Sequence, residues 1–212
     1  MLIELIHPEN VLDILYELKE YAGEVDIDFS RKAIQCIGRC AVTVSETSEQ
    51  CVDVLLEIIN TKVNYAVQEA IVVMKDILRR YPGRYEGMIK HLCDVLESLD
   101  EPEAKRSFIW ILGEYADRIE NIIDLLGSFV EGISDETITV QLQILSSVVK
   151  LFFKLPSEEA QVIVQQVLQF ATNESEHPDL RDRAYVYWRL LSHVDMNSAT
   201  GVIVTGALPP VV

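Results

Sequence analysis

Cys36 and Cys40 stand four residues apart in CIGRC, the spacing that puts two side chains on one face of a helix. Thiols so placed are the raw material of a metal site or a redox pair. Either use needs more ligands or a second thiol motif, and Cys51 and Cys93 supply none. Phe29, Ala33 and Ile37 fall on the face that carries the pair. The expectation is two small, buried, metal-free thiols in an apolar core. Gly38, between them, would let a neighbouring helix approach closely.

Other reactive patterns are weaker still. His7, His91, His177 and His193 are scattered and make no HExxH pair. Gly201 and Gly206 bracket four residues, but no Lys-Ser/Thr follows them, so the pattern is not a phosphate-binding loop. No GxSxG elbow occurs. The acidic stretch SLDEPEA lacks the alternating oxygen ligands and glycine turn of a calcium loop, and reads as an acidic helix start favoured by the helix dipole. These residues predict no catalytic group, no metal site and no cofactor, and hence no enzyme.

The stretch PDLRDRAYVYWRLL, Pro178 to Leu191, mixes three arginines with three aromatics. Such interleaving can mark a nucleic-acid surface. The chain as a whole opposes that reading. It carries 18 Lys+Arg against 34 Asp+Glu, a net charge of -16, and such a field repels phosphate backbones. Nucleic acid is therefore not an expected partner. On a helix, Leu180, Ala184, Tyr187, Trp188 and Leu191 form one face, which is expected to enter the core. Arg181, Tyr185 and Arg189 form a stripe beside it at i, i+4, i+8. That stripe either meets an acidic neighbour within the chain or contacts a partner, since Arg and Tyr are favoured interface anchors. Trp110 presents the same choice. It departs from the core stripe of its own helix (Phe108, Ile109, Leu112, Tyr115, Ala116, Ile119) and shares a side with Arg106, Gly113, Glu114 and Asp117. Trp110, Arg181, Tyr185 and Arg189 are the candidate partner-binding residues.

The elements that must position these residues are helical. Apolar positions recur at i, i+3, i+4, i+7, as in Val67, Ala70, Ile71, Met74, Ile77, Leu78 and Tyr81, with Asn64 as the expected cap and Pro82 as the stop. About ten helices are predicted, starting near Asn10, Asp28, Ser48, Asn64, Tyr85, Glu101, Asn121, Glu136, Ser157 and Asp179. Ile34, Ile71, Ile109, Ile144 and Tyr185 occupy similar places in alternate helices, at a loose period near 40. Two helices per unit at that period are the signature of HEAT or armadillo-like repeats. The expected fold is therefore all-α, an α-α superhelix of solenoid type, over residues 1–195. Residues 196–212, Gly/Pro-punctuated and apolar, read as an irregular tail. No apolar run reaches the roughly 18 residues that a membrane span needs. The sparse cysteines suit reduced thiols in the cytoplasm.

The strings LKEYAGEVDIDFSRKAIQCIGRCAV, TKVNYAVQEAIVVMKDILRRYP, SLDEPEAKRSFIWILGEYADRI and HPDLRDRAYVYWRLLS closely resemble the trunk of beta-adaptins. Beta-adaptin is a large subunit of the heterotetrameric clathrin adaptor complexes, and the resemblance runs from about Leu12 to Ser192. It implies a helical solenoid that acts as a non-catalytic scaffold in vesicle-mediated transport. Implied partners are the medium subunit, with the second large and small subunits. The implied setting is cytoplasmic and peripheral, on Golgi/endosomal or plasma-membrane coated vesicles. Family members also carry a clathrin-binding hinge and an ear, which are not seen here, so clathrin contact is expected to be indirect and the chain to be a piece of the trunk. LLEII at Leu55–Ile59 looks like a clathrin box, but it lies in a predicted helix and lacks the closing acid. The alternative is another HEAT-repeat scaffold, such as a transport receptor or a phosphatase scaffold.

Overall fold

The computed structural model describes residues 10–96 and 99–193, together with residue 203. The expected 196–212 tail lies, apart from that one residue, outside the described residues. Ten α-helices and no strand occur among the described residues. They are α1 (Val11–Ala22), α2 (Ile27–Thr43), α3 (Ser48–Asn60), α4 (Asn64–Arg80), α5 (Met88–Cys93), α6 (Pro102–Glu114), α7 (Ile122–Glu131), α8 (Ile138–Lys154), α9 (Glu158–Gln169) and α10 (Pro178–His193). The fold is all-α, as the apolar periodicity predicts. Each helix starts at or near its expected residue, and the largest offset is at α5, which begins at Met88 rather than Tyr85. The described residues divide into two compact units, one up to Ala104 and one from Lys105. No described helix is long and apolar enough to cross a membrane.

Helix starts follow from local chemistry. Ser157 caps α9 as expected, its Oγ accepting from the Ala160 N–H at 3.1 Å, with Glu158 and Glu159 in the first turn. Asp26 caps α2 by accepting from the N–H groups of Asp28 (3.0 Å) and Phe29 (3.2 Å). Asn64 is not the cap of α4; it is the first helical residue, after Val63. Its side chain is used elsewhere, donating to Asp100 at 3.1 Å and accepting from Gln68 at 2.8 Å.

In the first unit α2 and α4 lie side by side and parallel. Gln35 donates to Glu69 at 2.8 Å, Gly38 faces Val73, and the Tyr81 hydroxyl donates to the Ala41 carbonyl at 2.9 Å. A Cβ on Gly38 would run into the Val73 side chain, so the glycine permits the close approach read from the sequence. In the second unit α6 and α8 pair in the same sense. Gly113 faces Ser147, whose hydroxyl donates to the Ile109 carbonyl at 2.9 Å.

The core follows the repeat. Ile34, Ile71, Ile109 and Ile144 are all fully buried. Tyr185, the fifth position of the series, is not; it is 51 % exposed. The expected core face of α10 is also only half right. Leu180 and Ala184 are buried, Tyr187 and Leu191 are half-buried, and Trp188 is 50 % exposed. An apolar stripe becomes core only where a neighbour covers it. α10 packs on α8, on α9 and on the turn after α9, while Trp188 lines an open groove with Phe152, Val164 and Leu168. Phe29 is a second correction, 46 % exposed and tilted against Tyr21 with ring centroids 5.2 Å apart, whereas Ala33 and Ile37 are buried as expected.

Candidate partner-binding surface

Cys40 is buried as expected, while Cys36 is only half-buried. Burial pushes the Cys40 thiol up to about 11 and the Cys51 thiol up to about 12, and it also raises Cys93. At neutral pH the Cys40 and Cys51 thiols stay protonated, which makes them poor nucleophiles and poor metal ligands. Among the described residues, no three His, Cys, Asp or Glu side chains gather in a metal-holding group.

The sign of the pH dependence follows. The folded values lie above the ordinary thiol value of 9.0, so the stability these two groups contribute is complete below pH 9 and is lost as pH rises toward 11 to 12. Thermal melts should therefore show a midpoint falling above pH 9. Replacing Cys40 and Cys51 with alanine should flatten that fall, and an unchanged slope would place these thiols in water.

A groove of about 600 Å³ lies between α8, α9 and α10 in the second unit. Its lining is Phe152, Val164, Leu168, Trp188 and Leu191, with amide and hydroxyl side chains between them and no ionisable group. Acid–base or nucleophilic catalysis needs convergent titratable residues, and this lining has none. A second hollow holds Glu174, Glu176 and His177, but all three side chains are exposed and solvated.

Trp110 is half-buried on α6 and faces α8. The Lys150 ammonium lies 5.9 Å from its ring centroid and pairs with Glu114 at 2.6 Å. Lys154 donates to the Glu114 carbonyl and sits 3.9 Å from Asp117. Burial lowers the Lys154 pKa, while Glu114 and Asp117 act to raise it. The side of α6 that carries Trp110 is thus tied to α8 by charge and by cation–π contact.

On α10, Arg181 is half-buried and donates to the Ser175 carbonyl at 2.9 Å. Tyr185 and Arg189 are exposed. Among the described residues neither has a hydrogen bond or ion pair, so both are available for contact. Tyr187, beside them, reaches Ser146 of α8 at 3.4 Å. Trp110 therefore meets α8, whereas of the α10 stripe only Arg181 is tied down, at the turn before its own helix.

Arg181 also belongs to a set that sequence reading missed. Near its start, each even-numbered helix carries a long polar side chain that reaches the turn before an even-numbered helix, a later one for α2, α4 and α6 and its own for α8 and α10. In the first unit Arg31 pairs with Glu101, and Gln68 accepts from the Glu101 N–H at 2.6 Å. In the second, Lys105 pairs with Glu136 at 2.5 Å, and Gln141 donates to the carbonyls of Ile133 (2.9 Å) and Glu136 (3.0 Å). The signal that could have found this set is the repeat itself, since 31, 68, 105, 141 and 181 are spaced like the buried isoleucines.

Comparison with known proteins places this architecture. The family described as Adaptin N terminal region matches residues 1–195. AP-1 complex subunit beta of Dictyostelium discoideum is 57 % identical over 205 residues, covering 97 % of this chain and 22 % of that protein. AP-1 complex subunit beta-1 of Homo sapiens is 59 % identical over 192 residues, 91 % of this chain and 20 % of that one. AP-2 complex subunit beta of Schizosaccharomyces pombe is 44 % identical over 202 residues, 95 % of this chain and 29 % of that one. The chain thus spans about a fifth of the length of the AP-1 relatives it matches. Its repeats of paired helices, each too small to bury its own apolar face, are of the helical-solenoid class read from the sequence. With the family match running along residues 1–195, the chain belongs to the adaptin N-terminal family and, within it, to the beta-adaptins.

Proposed function

We propose that this chain is a scaffold within the beta subunit of a heterotetrameric clathrin adaptor complex, serving vesicle-mediated intracellular protein transport. It is not an enzyme. The observation that carries the reading is the 57 % identity to an AP-1 beta subunit across 97 % of the chain. The helical repeat of the described residues supports it. In this reading the chain binds the medium subunit, and with it the second large and small subunits. It is cytoplasmic and peripheral, on Golgi/endosomal or plasma-membrane coated vesicles, and reaches the membrane through the assembly.

The proposed contact surface runs along the even-numbered helices that carry Trp110, Arg181, Tyr185 and Arg189. Tyr185 and Arg189 offer the exposed part of it, and Arg181 and Trp110 the half-buried part. Arg189→Glu with Tyr185→Ala should weaken association with the medium subunit in a pull-down, with the thermal midpoint shifted by no more than about 0.5 kcal/mol of stability. Arg181→Glu should in addition cost about 1 kcal/mol, because the Ser175 carbonyl loses its donor. Full binding by the Tyr185/Arg189 variant would remove this stripe from the interface.

A further inference from the structure

The corner YPGRY between α4 and α5 combines features that packing alone does not require. Its two tyrosines are held from behind. The Tyr81 hydroxyl donates to the Ala41 carbonyl at 2.9 Å, and the Tyr85 hydroxyl shares a hydrogen bond with Ser48 at 2.6 Å. Their rings stand edge to face, 5.9 Å apart at 87°. Gly83, at φ 80°, makes the turn that folds the chain back between them. On this aromatic base lie two guanidinium groups. Arg80 is 5.9 Å from the Tyr81 centroid; Arg84 is 5.9 Å from Tyr81 and 5.3 Å from Tyr85.

Arg80 and Arg84 are both exposed, and among the described residues neither pairs with a carboxylate. In a chain of net charge -16, two neighbouring arginines without an acid partner run against the composition. The local balance is inverted as well. From Lys75 to His91 there are five Lys or Arg against two acids, Asp76 and Glu86. Asp76 faces Lys75 (3.6 Å) and Arg79 (4.0 Å), a turn back along α4. A guanidinium stacked on a ring keeps its N–H edges free, and those edges fit a carboxylate in a two-pronged bond.

We propose that this corner docks a short acidic peptide segment of a partner protein, with carboxylates received by Arg80 and Arg84. Charge complementarity selects this occupant over an anionic bilayer. A flat membrane would meet the surrounding acidic surface as well as the corner, whereas a peptide can reach the corner alone. The inference stands apart from the surface proposed on α10 and does not depend on it.

The test uses the full chain and a fluorescein-labelled peptide containing a run of glutamates, read by anisotropy. Binding should weaken as salt rises. It should fall at least tenfold in the Arg80→Glu/Arg84→Glu variant at an unchanged thermal midpoint. Arg84→Lys, which keeps the charge but loses the fork, should fall less. Lys32→Glu, an exposed residue of α2 away from the corner, should bind as the parent does. Equal binding by the double variant, or an equal loss in Lys32→Glu, would overturn the proposal. So would capture by phosphatidylserine vesicles, or by a phosphoserine peptide alone, without binding of the glutamate peptide.

Discussion

Phe108→Ala should lower the stability of the chain by about 3–5 kcal/mol, the usual cost of truncating a fully buried aromatic. Phe108 has no exposed surface and packs its ring 6.3 Å from that of Phe129, joining α6 to α7. The collapse available to α6 is small, because Ile109, Ile111 and Leu112 around it are already fully buried. Trp188→Ala is the natural control. It removes a larger side chain, yet half of that side chain is already in water. Its loss should cost roughly half as much, about 1.5–2.5 kcal/mol. Urea unfolding of the two variants beside the parent decides the matter. A Trp188 variant as damaged as the Phe108 variant would mean that α10 is rotated, with Trp188 in the core.

Gly38→Val should cost about 1–3 kcal/mol, the range for overpacking a well-filled contact. The new side chain must enter space held by Val73 where α2 and α4 run closest. If that contact is the cause, Val73→Ala should recover part of the loss in the double variant, although alone it creates a small void. The coupling between the two positions is the diagnostic quantity. Additive losses would mean that the helices already stand apart at this level and that Gly38 serves some other purpose.

The fold was legible in the sequence because helical repeats write their core locally. Ile34, Ile71, Ile109 and Ile144 are read from spacing alone, and all four are fully buried. Legibility fails where burial depends on what lies across the face. Tyr185 continues the period and Trp188 continues the stripe, but both stay half in water, Trp188 at the open groove between α8, α9 and α10. Asn64 shows a different limit. An amide at a helix start reads as a cap, yet its oxygen accepts from the Gln68 side chain and its amino group donates to the distant carboxylate of Asp100. Long-range pairs were the least visible. Arg31 meets Glu101 across 70 positions, and no local pattern separates that pair from two solvated charges. The candidate surface inherits both difficulties. Arg181 has the residue type of an interface anchor, but its guanidinium donates inside the chain, to the Ser175 carbonyl.

The most direct test of the scaffold reading is affinity capture of the tagged protein from its own cells, with identification and stoichiometry of the chains that come with it. The account predicts one medium, one small and one second large adaptor subunit in equal amounts, lost together when the medium subunit is depleted. Recovery of the protein alone, or with a phosphatase catalytic subunit or transport cargo in place of adaptor subunits, would contradict it.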